Sequence, residues 1–516
     1  MKKVISLILA VLMLASVLGG CGKNVKDSKV TDTKGAAETG EKAKDDSTVP
    51  TVIWYFPSDQ QADQDQVWED LNKKLAAKAN VKIDFRPIPM GEFDDKMKLI
   101  SSSGEDYDLA FTANWLNNFY DNVGREAFLP LDDLYEKHPE LKEQCPEWLS
   151  NVAKSNGKLY AIPNMQIVAT QLGLVIRKDL VEKYNFDPST IKTTDDLINK
   201  LPAFLDEIVV NEPEIRVPFL PQQLWGIWDY EGISTGTASG SAYGYAYIKK
   251  GDTNMKVISS DDFAAFPENK AYSQLQFDWA QKGYFGNDIT LLTDVDKLQT
   301  AGQVAAVLNI YKPGNDASLA VKYPGYEFVT VPVGTAYTSS SSGGACMTAI
   351  NVNSKNPEAA MNALAAVYTD KEIFNELLFG LPGTHYNMAD ETHAEPVANT
   401  KYNLSAYAWV LGNQFNSYLL PGQDDNTWTE TEKMNNDAEI SVLRGFTVDP
   451  TPIQSQLAQL NAVAKEYDKF ELLAKDQASY EKVLAEKVEK DKKAGIDDVV
   501  AEVQRQIDAW KSTLNK

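Results

Sequence analysis

Side chains that could hold a ligand recur in this chain where aromatic residues stand beside amides and carboxylates. Trp54 and Tyr55 run with Phe56 toward Asp59, Gln60 and Gln61, while Asn114 precedes Trp115. Asn164 and Gln166 follow YAIP, Trp228 precedes Asp229, Tyr311 and Lys312 follow VAAVLNI, and GLPGTHY carries His385 and Tyr386. Flat aromatic faces lie well against C–H surfaces, and the polar neighbours can both donate and accept hydrogen bonds. Together they suit a polyhydroxylated ring such as a sugar. The candidate contacts are therefore Trp54, Tyr55, Gln60, Asn114, Trp115, Asn164, Gln166, Trp228, Asp229, Tyr311, His385 and Tyr386.

Packing competes for the same residues. Side chains alternate across a strand, so Trp54 and Phe56 share one face and Tyr55 takes the other, and at least one of the three belongs to a core. Trp68 and Trp510 sit in helical stripes and read as packing. Tyr243, Tyr245 and Tyr247 alternate as in a β-hairpin, and the Gly-rich turn before His385 serves a structural role equally well.

Catalytic constellations are harder to find. With 73 Asp and Glu residues, carboxylate pairs are inevitable, but their spatial separation is not readable from spacing. There is no H-E-x-x-H and no P-loop, and His138, His385 and His393 are too scattered to suggest a metal site. No catalytic residue, metal or cofactor is assigned, and the chain reads as a binding protein, not an enzyme.

The ends of the chain locate it. Lys2 and Lys3 precede the apolar run Val4 to Leu18, which is shorter than the ~20 residues needed to span a bilayer. Leu18-Gly19-Gly20-Cys21 looks like a lipoprotein cleavage box, which makes Cys21 the lipidated N-terminus after removal of residues 1–20. Residues 21–50 carry almost no large apolar side chain and read as a flexible tether. Their charges balance, and Lys2 and Lys3 leave with residues 1–20, so the net charge of -23 for the whole chain becomes -25 on the body beyond Pro50. Such a body disfavours nucleic acid and anionic lipid as partners. Cys145 and Cys346 read as buried free thiols.

About 466 residues then exceed one core. TVIWYF, VKIDFRPIP and YDLAFTA read as strands, with helices between them, so an α/β sheet begins the body. Val67, Trp68, Leu71 and Leu75 mark one helix face. Near the C-terminus Val499, Val500, Val503, Ile507, Trp510 and Leu514 mark another.

The lipobox, TVIWYF, YDLAFT, GKLYAIPN and GLVIRKDL, in that order, resemble family 1 extracellular solute-binding proteins of ABC importers. NELLFGLPGTHY, GNQFNSYLLPG and AGIDDVVAEVQRQIDAW resemble the large lipoprotein subgroup with a helical C-terminal extension, associated with complex-carbohydrate uptake in Gram-positive bacteria. The resemblance implies a two-lobed, type II periplasmic-binding-protein-like α/β fold with hinge crossings. It places lobe one at 51–166 plus 310–353 and lobe two at 167–309 plus 354–516. It also implies a monomeric, lipid-anchored extracellular receptor that closes on a carbohydrate and serves membrane permease subunits. A peptide or other solute on the same scaffold, or a surface glycan hydrolase or adhesin, are the alternatives.

Overall fold

Thr51–Pro57 forms a central strand because both of its faces are apolar. Val52, Trp54 and Phe56 are fully buried on one side and Tyr55 lies buried on the other. Burial on both faces is the pattern of a sheet sandwiched between helices. In this computed structural model, which describes residues 49–155, 157–220, 229–233, 245–286, 295–340 and 342–514, the strand pairs in parallel with Lys82–Ile88 and Leu109–Thr112. Met347–Ile350 joins antiparallel beside Leu109–Thr112, and Ala161–Pro163 closes the five-stranded sheet. The helix Gln64–Ala79 buries Val67, Trp68, Leu71 and Leu75, the face read from the sequence.

A second five-stranded sheet runs in the order Glu439–Ile440, Phe328–Thr338, Thr170–Arg177, Val304–Ile310 and Val217–Leu220. The helix Thr194–Asn211 covers one face through Leu197, Leu201, Phe204, Leu205 and Ile208. Its start is set by a reciprocal capping box between Thr193 and Asp196, which satisfies backbone groups that a helix N-terminus leaves unpaired. A third core lies under the C-terminal helices, where Val499, Val503 and Ile507 are fully buried against Leu443, Phe446 and Leu460. Tyr245 and Tyr247 are buried around the strand Ala246–Lys249, which pairs antiparallel with Tyr230–Gly232, while Tyr243 lies outside the described residues.

The expected lobe boundaries need correction in two places. Phe328–Thr338 pairs along Thr170–Arg177 in the second sheet, so the stretch 310–353 is divided and only its end returns to the first sheet. Pro357–Thr369 and Lys371–Phe379 pack into the first core, where Leu364, Val367, Ile373 and Leu377 are fully buried, instead of continuing the second lobe. Pairing between sheets is long-range, and a strand's own alternation does not say which sheet receives it. The chain passes between the sheets at 164–169, at 339–346, and again between Leu420 and Glu439.

Candidate functional site

The three parallel strands of the first sheet end on one edge, and the antiparallel Met347–Ile350 begins there. Register sets Thr112 and Pro163 on either side of Met347. The same edge releases the loops after Pro57, Thr112 and Pro163, a position where ligands lie in open α/β sheets. Toward it comes the edge of the second sheet at which Thr170–Arg177 begins and Val304–Ile310 ends.

Two tryptophans form a wall at this edge. Asn114 donates its backbone N–H to the Gly344 carbonyl over 2.9 Å, and the Trp115 indole N–H donates to the Ala345 carbonyl over 2.8 Å. These bonds fix the loop against the start of Met347–Ile350. The Trp115 ring lies 6.4 Å from that of Trp409, tilted by 31°, and Phe111 meets both rings edge-on. Trp115 keeps 42% of its surface exposed, too much for a packing residue. The Lys312 ammonium reaches the Trp409 ring from the second lobe, 5.8 Å from its centroid. Half-buried Tyr311 precedes it, with its backbone close over Gly173. A Cβ at Gly173 would come within 2.9 Å of Tyr311 Cα, so the glycine permits this approach.

Other candidates fall elsewhere. Trp54 is fully buried and stacks on Phe85, and the Tyr55 hydroxyl donates to Glu105 over 2.7 Å while accepting from Arg86. Both are core residues because a central strand of a covered sheet has no free face. Gln60 is exposed on the loop beyond Pro57. Asn164 and Gln166 stand at the right edge but are buried. Asn164 donates to the Trp409 carbonyl and Gln166 to the Cys346 sulfur, while Asn164 Oδ1 lies buried without a partner. His385 is buried, with Nδ1 accepting from the Leu381 N–H, and Tyr386 packs on Phe379 and Tyr418. Gly380, with φ 79°, leaves no room for a Cβ beside His385, so this turn is structural. Asp229 is exposed, and Trp228 lies outside the described residues.

Residues 58–373 match the family described as bacterial extracellular solute-binding protein. The chain belongs to this family. Residues 442–512 match a second family, a domain of unknown function named DUF3502. A carbohydrate ABC transporter substrate-binding protein of Streptococcus pneumoniae serotype 4 is 24% identical over 97% of this chain and 96% of its own length. The N-glycan transport solute binding protein (NgtS) of Streptococcus pneumoniae, solved with Man1GlcNAc, superposes with a TM-score of 0.75 at 20% identity, covering 89% of this chain and 99% of its own. An HMO binding, ABC-transporter associated solute binding protein from Bifidobacterium longum infantis gives 0.54 at 15% identity over 90% and 99%. The fold is accordingly the two-lobed, type II periplasmic-binding-protein-like one.

In a solute-binding protein the crossings matter as much as the wall. Asn435 holds the first: its Oδ1 accepts from Val168 N–H at 2.7 Å and Ala169 N–H at 3.0 Å, and its Nδ2 donates to the Gln166 carbonyl at 2.8 Å. Buried Glu231 joins the start of the second crossing to the chain just past the third, accepting from the Ser340 N–H and Tyr337 hydroxyl, each at 2.6 Å, and from the Ser441 hydroxyl. Burial, with the Glu231 carboxylate beside it, pushes the Tyr337 phenol well above its usual range. Trp409, Asn435 and Glu231 were missed by sequence reasoning. Trp409 sits on the four-residue helix Ala408–Leu411, too short to show periodicity, and Asn435 lies in the polar run TWTETEKMNND, which reads as solvated.

Enzymatic signatures stay weak at this level. Gly232 to Gly236 spells G-x-S-x-G, but its strand, Tyr230–Gly232, is antiparallel in a three-stranded sheet, and Ser234 lies outside the described residues. A nucleophile elbow instead joins a strand to a helix at the top of an α/β-hydrolase sheet. Among the described residues no His, Cys, Asp or Glu group could hold a metal, and no helix is long and apolar enough to cross a membrane.

Proposed function

We propose that this protein is a lipid-anchored extracellular receptor that captures an oligosaccharide between its lobes and delivers it to an ABC permease. The Trp115–Trp409 wall carries the reading, because it sets an exposed aromatic face at the ligand edge of one sheet, opposite a cation from the other. Sugar C–H faces stack on such a wall while amides and ammonium groups take the hydroxyls. The relatives named above, a carbohydrate transporter's binding protein, an N-glycan transport protein and an HMO binding protein, support the same class of ligand. Cys21, outside the described residues, is the proposed lipid attachment, and residues 21–50 are the proposed tether.

Closure follows from contacts that exist together only when the lobes approach. A ligand touching both lobes favours the closed state by the difference in its binding free energy between closed and open forms. The permease then recognises the closed receptor. Calorimetry on an oligosaccharide array tests the capture step: binding without product is expected, and released sugar would mark a hydrolase instead. Tight binding of peptides, with no sugar bound, would transfer the scaffold to another solute. Cys21→Ala should release the protein into the medium; retention on cells would remove the anchor.

A further inference from the structure

Lys312 carries a charge that meets an aromatic face but no carboxylate among the described residues. It lies two residues beyond the strand Val304–Ile310, half-buried, with its ammonium over the Trp409 ring. Many other lysines of this acid-rich chain are paired, among them Lys74 with Glu372, Lys178 with Glu327 and Lys322 with Asp296. Lys312 has no carboxylate within ion-pair distance and no hydrogen-bond acceptor among the described residues. Burial lowers its pKa, and the groups acting on its charge are the Cys346 thiol and a second cation, Lys322, with no carboxylate among them. An ammonium has three donors and no acceptor, and holding it partly desolvated and unpaired costs free energy that an incoming anion can recover.

The surroundings narrow what that anion is. The wall beside Lys312 is aromatic and flat, so the charged group must be attached to a ring that can lie on Trp115 and Trp409. The net charge of -23 repels anions at long range, so selection for one must be local and must come from a short-range, desolvated contact. Lys312 comes from the second lobe and Trp115 from the first, so a ligand meeting both would bridge the cleft. Resting on the carbohydrate reading above, we infer that Lys312 selects oligosaccharides bearing a carboxylate, as uronic or sialic residues do. The carboxylate sits against the Lys312 ammonium while the sugar ring stacks on the tryptophan wall. A charge-assisted hydrogen bond of this kind contributes about 10- to 100-fold in affinity over its neutral counterpart.

The test uses the full mature chain against an array of neutral and acidic glycans, including sialyllactose and trigalacturonate. The strongest acidic binder is then compared by calorimetry with its carboxyl methyl ester, for wild type and Lys312→Met. The inference expects acidic glycans to bind best, the ester to weaken wild-type binding about 10-fold or more, and the acid and ester to bind Lys312→Met alike. Thermal melts of both proteins confirm that the variant is folded, and Lys312→Arg, which keeps the charge, should retain the acid preference. A neutral glycan as the strongest ligand, or an ester effect that survives in Lys312→Met, overturns the inference while carbohydrate capture stands. If no glycan binds, both readings fall together.

Discussion

The indoles of Trp115 and Trp409 lie 6.4 Å apart, tilted by 31°, although one leaves the end of a strand and the other rides a short helix far along the chain. Phe111, fully buried behind them, meets both edge-on and fixes their spacing. Replacing Trp115 with Ala should weaken oligosaccharide binding by about 10-fold or more, the effect of removing an aromatic anchor. Its exposure of 42% means that the unliganded melt should move little, by less than about 1 kcal/mol. Trp409→Ala should lose the same affinity and also about 2 kcal/mol of stability, because that ring packs on the first core. Calorimetry beside thermal denaturation separates the effects. An unchanged affinity in both variants would remove the wall from the binding site.

The crossings are held by polar side chains, and their removal should act on lobe motion before it acts on ligand contacts. Asn435→Ala leaves the Val168 and Ala169 N–H groups without their acceptor, at a cost of about 2 kcal/mol. Small-angle scattering of the unliganded variant should show a broader range of lobe separations. Asn435→Asp keeps the acceptor and loses only the bond to the Gln166 carbonyl, so it should fall between the two. Glu231→Ala should be the harsher change, about 3 kcal/mol, because Tyr337, Ser340 and Ser441 all lose one buried carboxylate. Scattering and denaturation curves matching wild type for both alanine variants would mean that other contacts hold the crossings.

How far such features could be foreseen depends on their range. The helix face of Val67, Trp68, Leu71 and Leu75 and the stripe through Val499, Val503 and Ile507 are periodic, and both are buried as their spacing implies. Trp115 also stood out, since it follows a strand and has a polar neighbour. The sheet that receives Phe328–Thr338 is decided by pairing with Thr170–Arg177, which no local pattern encodes. Trp54 and Tyr55 were ambiguous because a strand covered on both sides shows no polar face, and local composition cannot separate a covered face from a cleft. Asn435 and Glu231 look like ordinary surface residues until folding brings unpaired backbone groups to them.

Cys145 and Cys346 are buried and unpaired, as the absence of a disulfide pattern suggested. Burial pushes each thiol up to about 12, and the nucleophile in thiol chemistry is the thiolate. In the Cys21→Ala protein, Cys145 and Cys346 should therefore react with a disulfide reagent about 1000-fold more slowly than an ordinary cysteine, and two thiols should appear on denaturation. Reductant should leave the melting temperature unchanged. A reductant-sensitive melt would show that the two sulfurs can be bridged.

Stability should fall as pH rises through the near-neutral range, for two separable reasons. Desolvation raises Glu471 to about 7, with Ser273 donating to it over 3.1 Å, so the folded protein keeps a proton that an unfolded Glu releases near 4.3. Its contribution is present at acid pH and declines between about 4 and 7. His393 is raised because the Gln423 carbonyl accepts from one ring nitrogen at 2.9 Å, while Asp390 faces the other at 2.9 Å and Asp425 stands at 3.8 Å. The stabilisation from protonated His393 is full below its unfolded pKa of about 6.5 and is lost as pH climbs through the raised folded value. Gln423 in turn donates to the Gly314 carbonyl and to Ser318 in the second lobe, so the histidine bears on a contact between lobes. Denaturation curves from pH 4 to 9 should show Glu471→Gln flattening the lower part of the slope and His393→Gln the upper part. A slope that neither variant changes would place the pH dependence in other groups, the first to examine being Asp261, whose carboxyl burial raises beside Lys487.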